Sequence, residues 1–164
     1  AAGGEKIAQG TSGSDTFREA LSQVCIYLAK EIARDGEGAT KLIQVDVEGA
    51  KDEDDSRIAA RAVASSNLVK SAVHGEDPNW GRIIAALGYS GAELDQKSID
   101  LYINDVMIME GGGPIPFFKE SVEVAMSGES VTIRLNLNIG NGSATAWGCD
   151  LSEEYVTFNS AYTT

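Results

Sequence analysis

Residues 131–150 read VTIRLNLNIGNGSATAWGCD, and they contain the clearest strand signal in the chain. The first half alternates apolar and polar side chains, which places every second residue on one face of a strand. That apolar face consists of Val131, Ile133, Leu135, Leu137 and Ile139. Asn141-Gly142 then favours a tight turn between antiparallel strands. The stretch therefore predicts a hairpin in which residues 143–150 pair with residues 131–139.

The flanking segments predict a mixture of helices and strands. Residues 41–47 alternate like a half-buried strand, and residues 98–109 form two alternating runs joined near Asn104-Asp105, which predicts another hairpin. Helices are expected from about residue 15 to Gly36, over residues 54–66 and 117–126, from Asp77-Pro78 to Gly88 or Gly91, and from residues 152–154 onward, while residues 68–73 suit a strand or a helix. This order indicates an α/β or α+β layered sandwich, and 164 residues suit one domain spanning 1–164.

The first predicted helix, capped by Ser14 or Asp15, has an apolar stripe that we expect to face the core. The stripe consists of Phe17, Leu21, Val24, Cys25, Leu28 and Ile32. Cys25 and Cys149 are therefore expected to be reduced core residues, as in a cytosolic protein. Neither cysteine has the spacing of a zinc site, and His74 is the only histidine, so we predict no metal site and no cofactor.

The overall charge narrows the classes of partner. The formal net charge is -12, which argues against binding to nucleic acid and is compatible with a small cationic ligand. The acidic run at residues 52–55 is most simply a solvated surface. No apolar run approaches the length of a membrane helix, and no secretory signal is recognisable, so we expect a soluble, cytoplasmic protein without a membrane partner.

Residues 35–41, DGEGATK, are the first segment that could carry chemistry. Two glycines flank Glu37, so the backbone can turn sharply and project that carboxylate from a loop. A carboxylate in this position would suit an ammonium ligand through a charge-assisted hydrogen bond. The alternative is that Gly36 only ends the helix and that Glu37 is solvated.

Residues 75–82, GEDPNWGR, predict a helix start with Asp77 as its cap and Pro78 in the first helical position. Such a start could bind an anion with help from Arg82, but the favoured interpretation is structural, with Trp80 packed into the core. The tail, residues 159–164, would ordinarily fray unless its neighbouring aromatic residues hold it in place.

Three segments together resemble the ornithine acetyltransferase (glutamate N-acetyltransferase) family: DGEGATK, GEDPNWGR followed by GYSG at 88–91, and AWGCDLSEEYVTFNSAYTT at 146–164. They occur in the family's order, and the resemblance covers the chain from about Phe17 onward. It implies the carboxyl-terminal part of the beta chain of a bifunctional arginine biosynthesis protein. The implied fold is a layered α/β/β/α sandwich. The implied assembly is a heterotetramer of two alpha chains and two beta chains.

The resemblance also implies a reaction and the residues that serve it. Acetyl would move from N-acetylornithine to L-glutamate, with acetyl-CoA as a further donor in some members. The family's precursor cleaves itself, and the new amino-terminal threonine carries the acetyl group. The matching substrate-binding positions are Glu37, Asn159 and Thr164. No threonine here stands in the context of the nucleophile, so we expect that the nucleophile and the oxyanion hole lie outside this chain, which would be a processed or truncated product.

Two other functions stay open at this point. A non-catalytic amino-acid-binding module could keep the same fold and the site at Glu37. An acidic structural partner would instead leave Glu37, Asn159 and Thr164 far apart in the fold.

Overall fold

The computed structural model describes residue 4 and residues 7–161, which form helices and strands in a mixed order. In chain order the elements are α1 (Ser12–Arg34), β1 (Leu42–Ala50), α2 (Glu53–Ser65), α3 (Asn67–His74), α4 (Trp80–Gly88), β2 (Asp100–Ile103), β3 (Val106–Glu110), β4 (Gly113–Pro114), α5 (Lys119–Met126), β5 (Ser130–Asn136), β6 (Gly142–Cys149) and α6 (Glu153–Ala161). The mixed α/β class is confirmed. The described strands form one six-stranded sheet in the order β4-β3-β2-β5-β1-β6.

The core lies on one face of this sheet. In β1 the side chains of Ile43, Val45 and Val47 are almost completely buried, whereas Gln44 and Asp46 point to the other face and are half-buried. This alternation is the one predicted for residues 41–47. Helix α2 packs across β1 and β6 and brings small buried residues to the apolar face. Residues 68–73 are helical and belong to α3.

The predicted pairing of residues 131–139 with residues 143–150 is wrong. Strand β1 lies between β5 and β6, so that Val45 faces Ile133 in a parallel ladder and Ala146 in an antiparallel ladder. The segment that joins β5 to β6 crosses the end of β1, where the N–H groups of residues 139 and 140 both donate to the carbonyl oxygen of Gly49. By contrast, β2 and β3 form the predicted antiparallel hairpin.

Helix α1 differs most from its prediction. It begins at Ser12, because the Thr11 hydroxyl caps it by accepting a hydrogen bond from the N–H of Ser14 at 3.3 Å. The apolar stripe is exposed: Phe17 and Val24 expose 56% and 53% of their surface, and Cys25 is exposed as well. The core assignment of this stripe and of Cys25 is therefore wrong. The physical reason is that only the last turns of α1, near residues 29–33, are partly buried beside β6.

Within the described residues, no helix combines the length and the apolar character that crossing a membrane requires.

Candidate substrate-binding site

The loop at residues 35–41 packs against the first turn of α6. Gly38 has a φ of +69°, and a Cβ at this position would lie 3.0 Å from the Ser152 hydroxyl oxygen and 3.0 Å from the Cβ of Glu154. A glycine is therefore required both by the backbone conformation and by the close approach. The Ser152 hydroxyl also donates to the carbonyl oxygen of Gly38 at 2.6 Å. Between Gly36 and Gly38, Glu37 is left exposed at the surface of this junction.

Glu37 and Asn159 meet although 122 residues separate them in the chain. The Asn159 side-chain amide donates to a carboxylate oxygen of Glu37 at 2.8 Å and to the carbonyl oxygen of Tyr155 at 2.8 Å. Both side chains are exposed. Two of the three predicted site residues therefore lie together, and the third, Thr164, lies outside the described residues.

Asp150 fastens this loop to the sheet. Its side chain is fully buried and accepts hydrogen bonds from the N–H groups of Thr40 and Lys41, at 2.8 and 2.9 Å, and from the Thr40 hydroxyl at 2.7 Å. Burial alone would raise the pKa of this carboxyl group. The hydrogen bonds from Thr40, from His74 and from the two N–H groups outweigh burial and hold the pKa below its ordinary value of 3.8.

His74 lies at the end of α3 between two carboxylates. Its Nδ1 is 2.8 Å from Asp150, and its Nε2 is 3.2 Å from Glu153 in the first turn of α6. The hydrogen bond with Asp150 raises the pKa of His74 above its ordinary value of 6.5, against the opposing effect of burial. In a Ser-His-Asp triad the second ring nitrogen faces a hydroxyl group, whereas here it faces a carboxylate. This histidine is thus arranged to hold charges together rather than to activate a nucleophile.

Sequence reasoning missed Thr40, Asp150 and the role of His74. Thr40 and Asp150 are 110 residues apart, so no local pattern connects them. The one available signal was that His74 is the only histidine in an acidic chain.

The segment at residues 75–82 starts α4 in a different way from the predicted one. Asn79 is the cap, because its side-chain oxygen accepts from the N–H of Arg82 at 3.2 Å, and Trp80 is the first helical residue. Asp77 instead accepts a hydrogen bond from the Asn79 amide group at 2.9 Å. The prediction of Asp77 as cap and Pro78 in the first position is therefore wrong. Trp80 exposes 37% of its surface and is not a core residue.

Residues 35–41 and 75–82 are joined by a buried lysine. Lys41 is only 9% exposed, and its ammonium group donates to a carboxylate oxygen of Glu76 at 2.7 Å and to the carbonyl oxygen of Met126 at 2.7 Å. Glu76 has a φ of +56°, which is unusual for a residue with a side chain. This contact and the Asn79 cap indicate that residues 75–82 support the site structurally.

The site as a whole is acidic. The carboxylates of Glu37, Asp150 and Glu153 lie around one junction, and only the last two contact the His74 ring. No group of three or more histidine, cysteine or acidic side chains within the described residues could hold a metal ion. Such a junction suits a ligand that carries an ammonium group.

The chain is similar to known proteins over its whole length. The profile described as the ArgJ family matches residues 1–164. The chain belongs to the ArgJ family. It is 50% identical over 163 residues to the arginine biosynthesis bifunctional protein ArgJ of Symbiobacterium thermophilum, a match that covers 99% of this chain and 40% of that protein. The corresponding protein of Geobacillus kaustophilus is 45% identical over 163 residues, with the same coverage.

A solved ArgJ structure has the same fold. The crystal structure of the arginine biosynthesis bifunctional protein argJ from Bacillus halodurans matches with a TM-score of 0.94 and 43% sequence identity, and the match covers 97% of this chain and 75% of that chain. The chain thus spans about 40% of the length of the curated relatives named above.

Proposed function

We propose that this chain is the carboxyl-terminal part of the beta chain of a glutamate N-acetyltransferase in arginine biosynthesis. In this proposal the full-length protein moves acetyl from N-acetylornithine to L-glutamate through an acetyl-threonine intermediate, and the threonine lies in a segment outside residues 1–164. Membership of the ArgJ family supports the pathway, and the names of the relatives support the class of protein. We accordingly expect residues 1–164 to form one cytoplasmic domain that is inactive on its own.

The observation that carries the proposal is the contact between Glu37 and Asn159. A carboxylate that accepts from one neutral amide still has free lone pairs for a substrate ammonium group. Asn159 can orient that carboxylate, since its amide is itself fixed by the carbonyl oxygen of Tyr155. We propose that Thr164, five residues after Asn159, completes the substrate contacts. No cofactor has a part in this scheme.

Glu37→Gln in the full-length protein is expected to lower kcat/KM for N-acetylornithine by about 10- to 100-fold. Gln keeps the size and the hydrogen bond with Asn159 but removes the charge, and a hydrogen bond to a charged group is worth about 1.5–3 kcal/mol. Steady-state kinetics measure this loss. Glu154→Gln changes an exposed carboxylate at the same junction and should alter kcat/KM by less than about twofold. Equal effects of the two substitutions would contradict the proposed role of Glu37.

Mass spectrometry can distinguish whether the protein is an enzyme or a non-catalytic binding module with the same fold. Full-length protein incubated with N-acetylornithine should carry one acetyl group on its nucleophilic threonine, and the isolated 164-residue chain should carry none. Binding of ornithine without any acetyl adduct on the full-length protein would instead favour the non-catalytic module.

We further propose that the exposed face of α1 packs against the remaining part of the protein in a heterotetramer of two alpha and two beta chains. Four large apolar residues on this helix, Phe17, Leu21, Val24 and Leu28, expose between 48% and 56% of their surface. A contiguous apolar surface of this kind commonly marks an interface. Light scattering of the full-length protein should give the mass of two pairs of chains, and the mass of a single pair would contradict the assembly.

A further inference from the structure

The only histidine of the chain lies where three parts of the site meet. The His74 side chain, 27% exposed at the end of α3, is 2.8 Å from the buried carboxylate of Asp150 and 3.2 Å from the exposed carboxylate of Glu153. Asp150 holds the 35–41 loop through Thr40, and Glu153 begins α6, the helix that carries Asn159. The ring therefore connects the loop of Glu37 to the helix of Asn159.

Besides the close packing of Gly38 on the first turn of α6, two hydrogen bonds in the described residues join this loop to α6 or to the residue before it. They are the hydrogen bond from the Ser152 hydroxyl to Gly38 and the hydrogen bond from Asn159 to Glu37 itself. Helix α6 has no buried residue, so little apolar burial holds it in place. The polar contacts at the first turn of α6 are consequently important for holding this helix in position.

We propose that His74 is a positioning residue, which in its protonated form binds Asp150 and Glu153 at once and thereby holds α6 so that Asn159 lies against Glu37. As far as substrate binding is concerned, this inference rests on the proposed function. A neutral ring has one N–H and can donate to only one of the two carboxylates. Loss of the proton therefore releases α6 at its first turn and loosens the contact between Asn159 and Glu37.

The direction of the pH dependence follows from the pKa of His74, which lies above its ordinary value of 6.5. Because the pKa is raised in the folded state, the contribution of His74 to holding α6 is complete below the ordinary pKa. It is lost as the pH rises through the pKa of the folded state. The pKa of Glu153 is lowered, first by a hydrogen bond from its own N–H and then by His74, so both carboxylates stay ionised across this range.

The elements that meet at His74 also carry other charged groups. Histidine is the side chain whose charge ordinarily changes between about pH 5 and 8. Besides the two carboxylates in contact with His74, these groups are Lys70 on α3, Asp35, Glu37 and Lys41 in the loop, Glu76 and Asp77 after α3, and Glu154 on α6.

The first test uses the unmodified 164-residue chain and no substrate. Because there is only one histidine, proton NMR follows its titration directly, and hydrogen exchange reports the protection of the α6 amides at each pH. After correction for intrinsic exchange rates, protection of α6 should fall about fivefold as His74 deprotonates. Constant protection of α6 through the titration would overturn the proposal.

The variant His74→Gln provides a second, independent test of the proposal. This variant should show the lower α6 protection at every pH, whereas Glu93→Gln, which removes the exposed 2.9 Å ion pair with Lys51, should behave as wild type. In the full-length enzyme, His74→Gln should raise KM for N-acetylornithine about fivefold below pH 6.5 and leave kcat within about twofold. It should also abolish the pH dependence of KM. Unchanged α6 protection in this variant overturns the positioning role. Lower protection with an unchanged KM supports that role and instead refutes the proposed substrate site.

Discussion

Asp150→Ala is expected to lower the free energy of unfolding by about 3 kcal/mol. The substitution removes an acceptor that is buried and serves four donors, among them the N–H groups of Thr40 and Lys41 at 2.8 and 2.9 Å. Those two N–H groups would be left without an acceptor, and the N–H of Lys41 is buried, where an unsatisfied donor costs about 1–3 kcal/mol. Urea unfolding followed by circular dichroism measures the change.

A control variant and the dependence on pH test whether this loss of stability comes from the hydrogen bonds to Asp150. Asp105→Ala removes an exposed carboxylate at the turn between β2 and β3 and should change stability by no more than about 0.5 kcal/mol. The pKa of Asp150 is held below 3.8 in the folded state. The contribution of its carboxylate to the free energy of unfolding is therefore complete above pH 3.8 and is lost as the pH falls through the pKa of the folded state. The difference between wild type and Asp150→Ala should therefore shrink in acid. A loss of stability no greater than that of Asp105→Ala would show that the hydrogen bonds to Asp150 do not hold the loop.

Gly142→Ala is expected to cost about 3 kcal/mol, for a steric reason. A Cβ at this position would overlap the carbonyl group of Asp52, the residue that caps α2 through a hydrogen bond from the N–H of Asp55 at 2.9 Å. The position of a Cβ is fixed by the backbone, and the carbonyl group is itself backbone, so no side-chain rotation can relieve the overlap. Either β6 must shift away from the end of β1, or the cap of α2 must open. Chemical denaturation again measures the loss.

Gly88→Ala provides the matched control. Gly88 is the last residue of α4, and a Cβ there would meet nothing within 4 Å. Because alanine favours a helix over glycine by up to about 1 kcal/mol, this substitution should be neutral or stabilising. If Gly142→Ala were as well tolerated as Gly88→Ala, then the close approach of Gly142 to the backbone of Asp52 would be wrong.

Gly142 also shows why the strand order could not be predicted from local pattern. Asn-Gly between two alternating runs is a strong signal for a tight hairpin, and the glycine is indeed required. It is required, however, because it lies against the backbone of Asp52, just after the end of β1 and ninety residues earlier in the sequence. A residue type can be demanded by a turn or by a close approach, and only the three-dimensional neighbours distinguish these causes.

The stripe of α1 illustrates the same limit for burial. Its spacing predicted a helix correctly, but periodicity identifies only which residues share a face. What covers that face is a property of the remaining structure, and in the described residues Phe17 and Leu21 stay about half exposed.

The family, the mixed α/β class, most of the helices and the hairpin of β2 and β3 could be predicted from the sequence alone. These features depend on neighbours within a few residues, through alternation, helical spacing and capping. The three-dimensional structure was needed to show that β1 lies between β5 and β6, that Asp150 and His74 hold the loop of Glu37, and that Asn159 contacts this loop. The reason is physical: hydrogen bonds between residues 76 to 122 positions apart depend on how the sheet is assembled, and no local pattern in the chain records them.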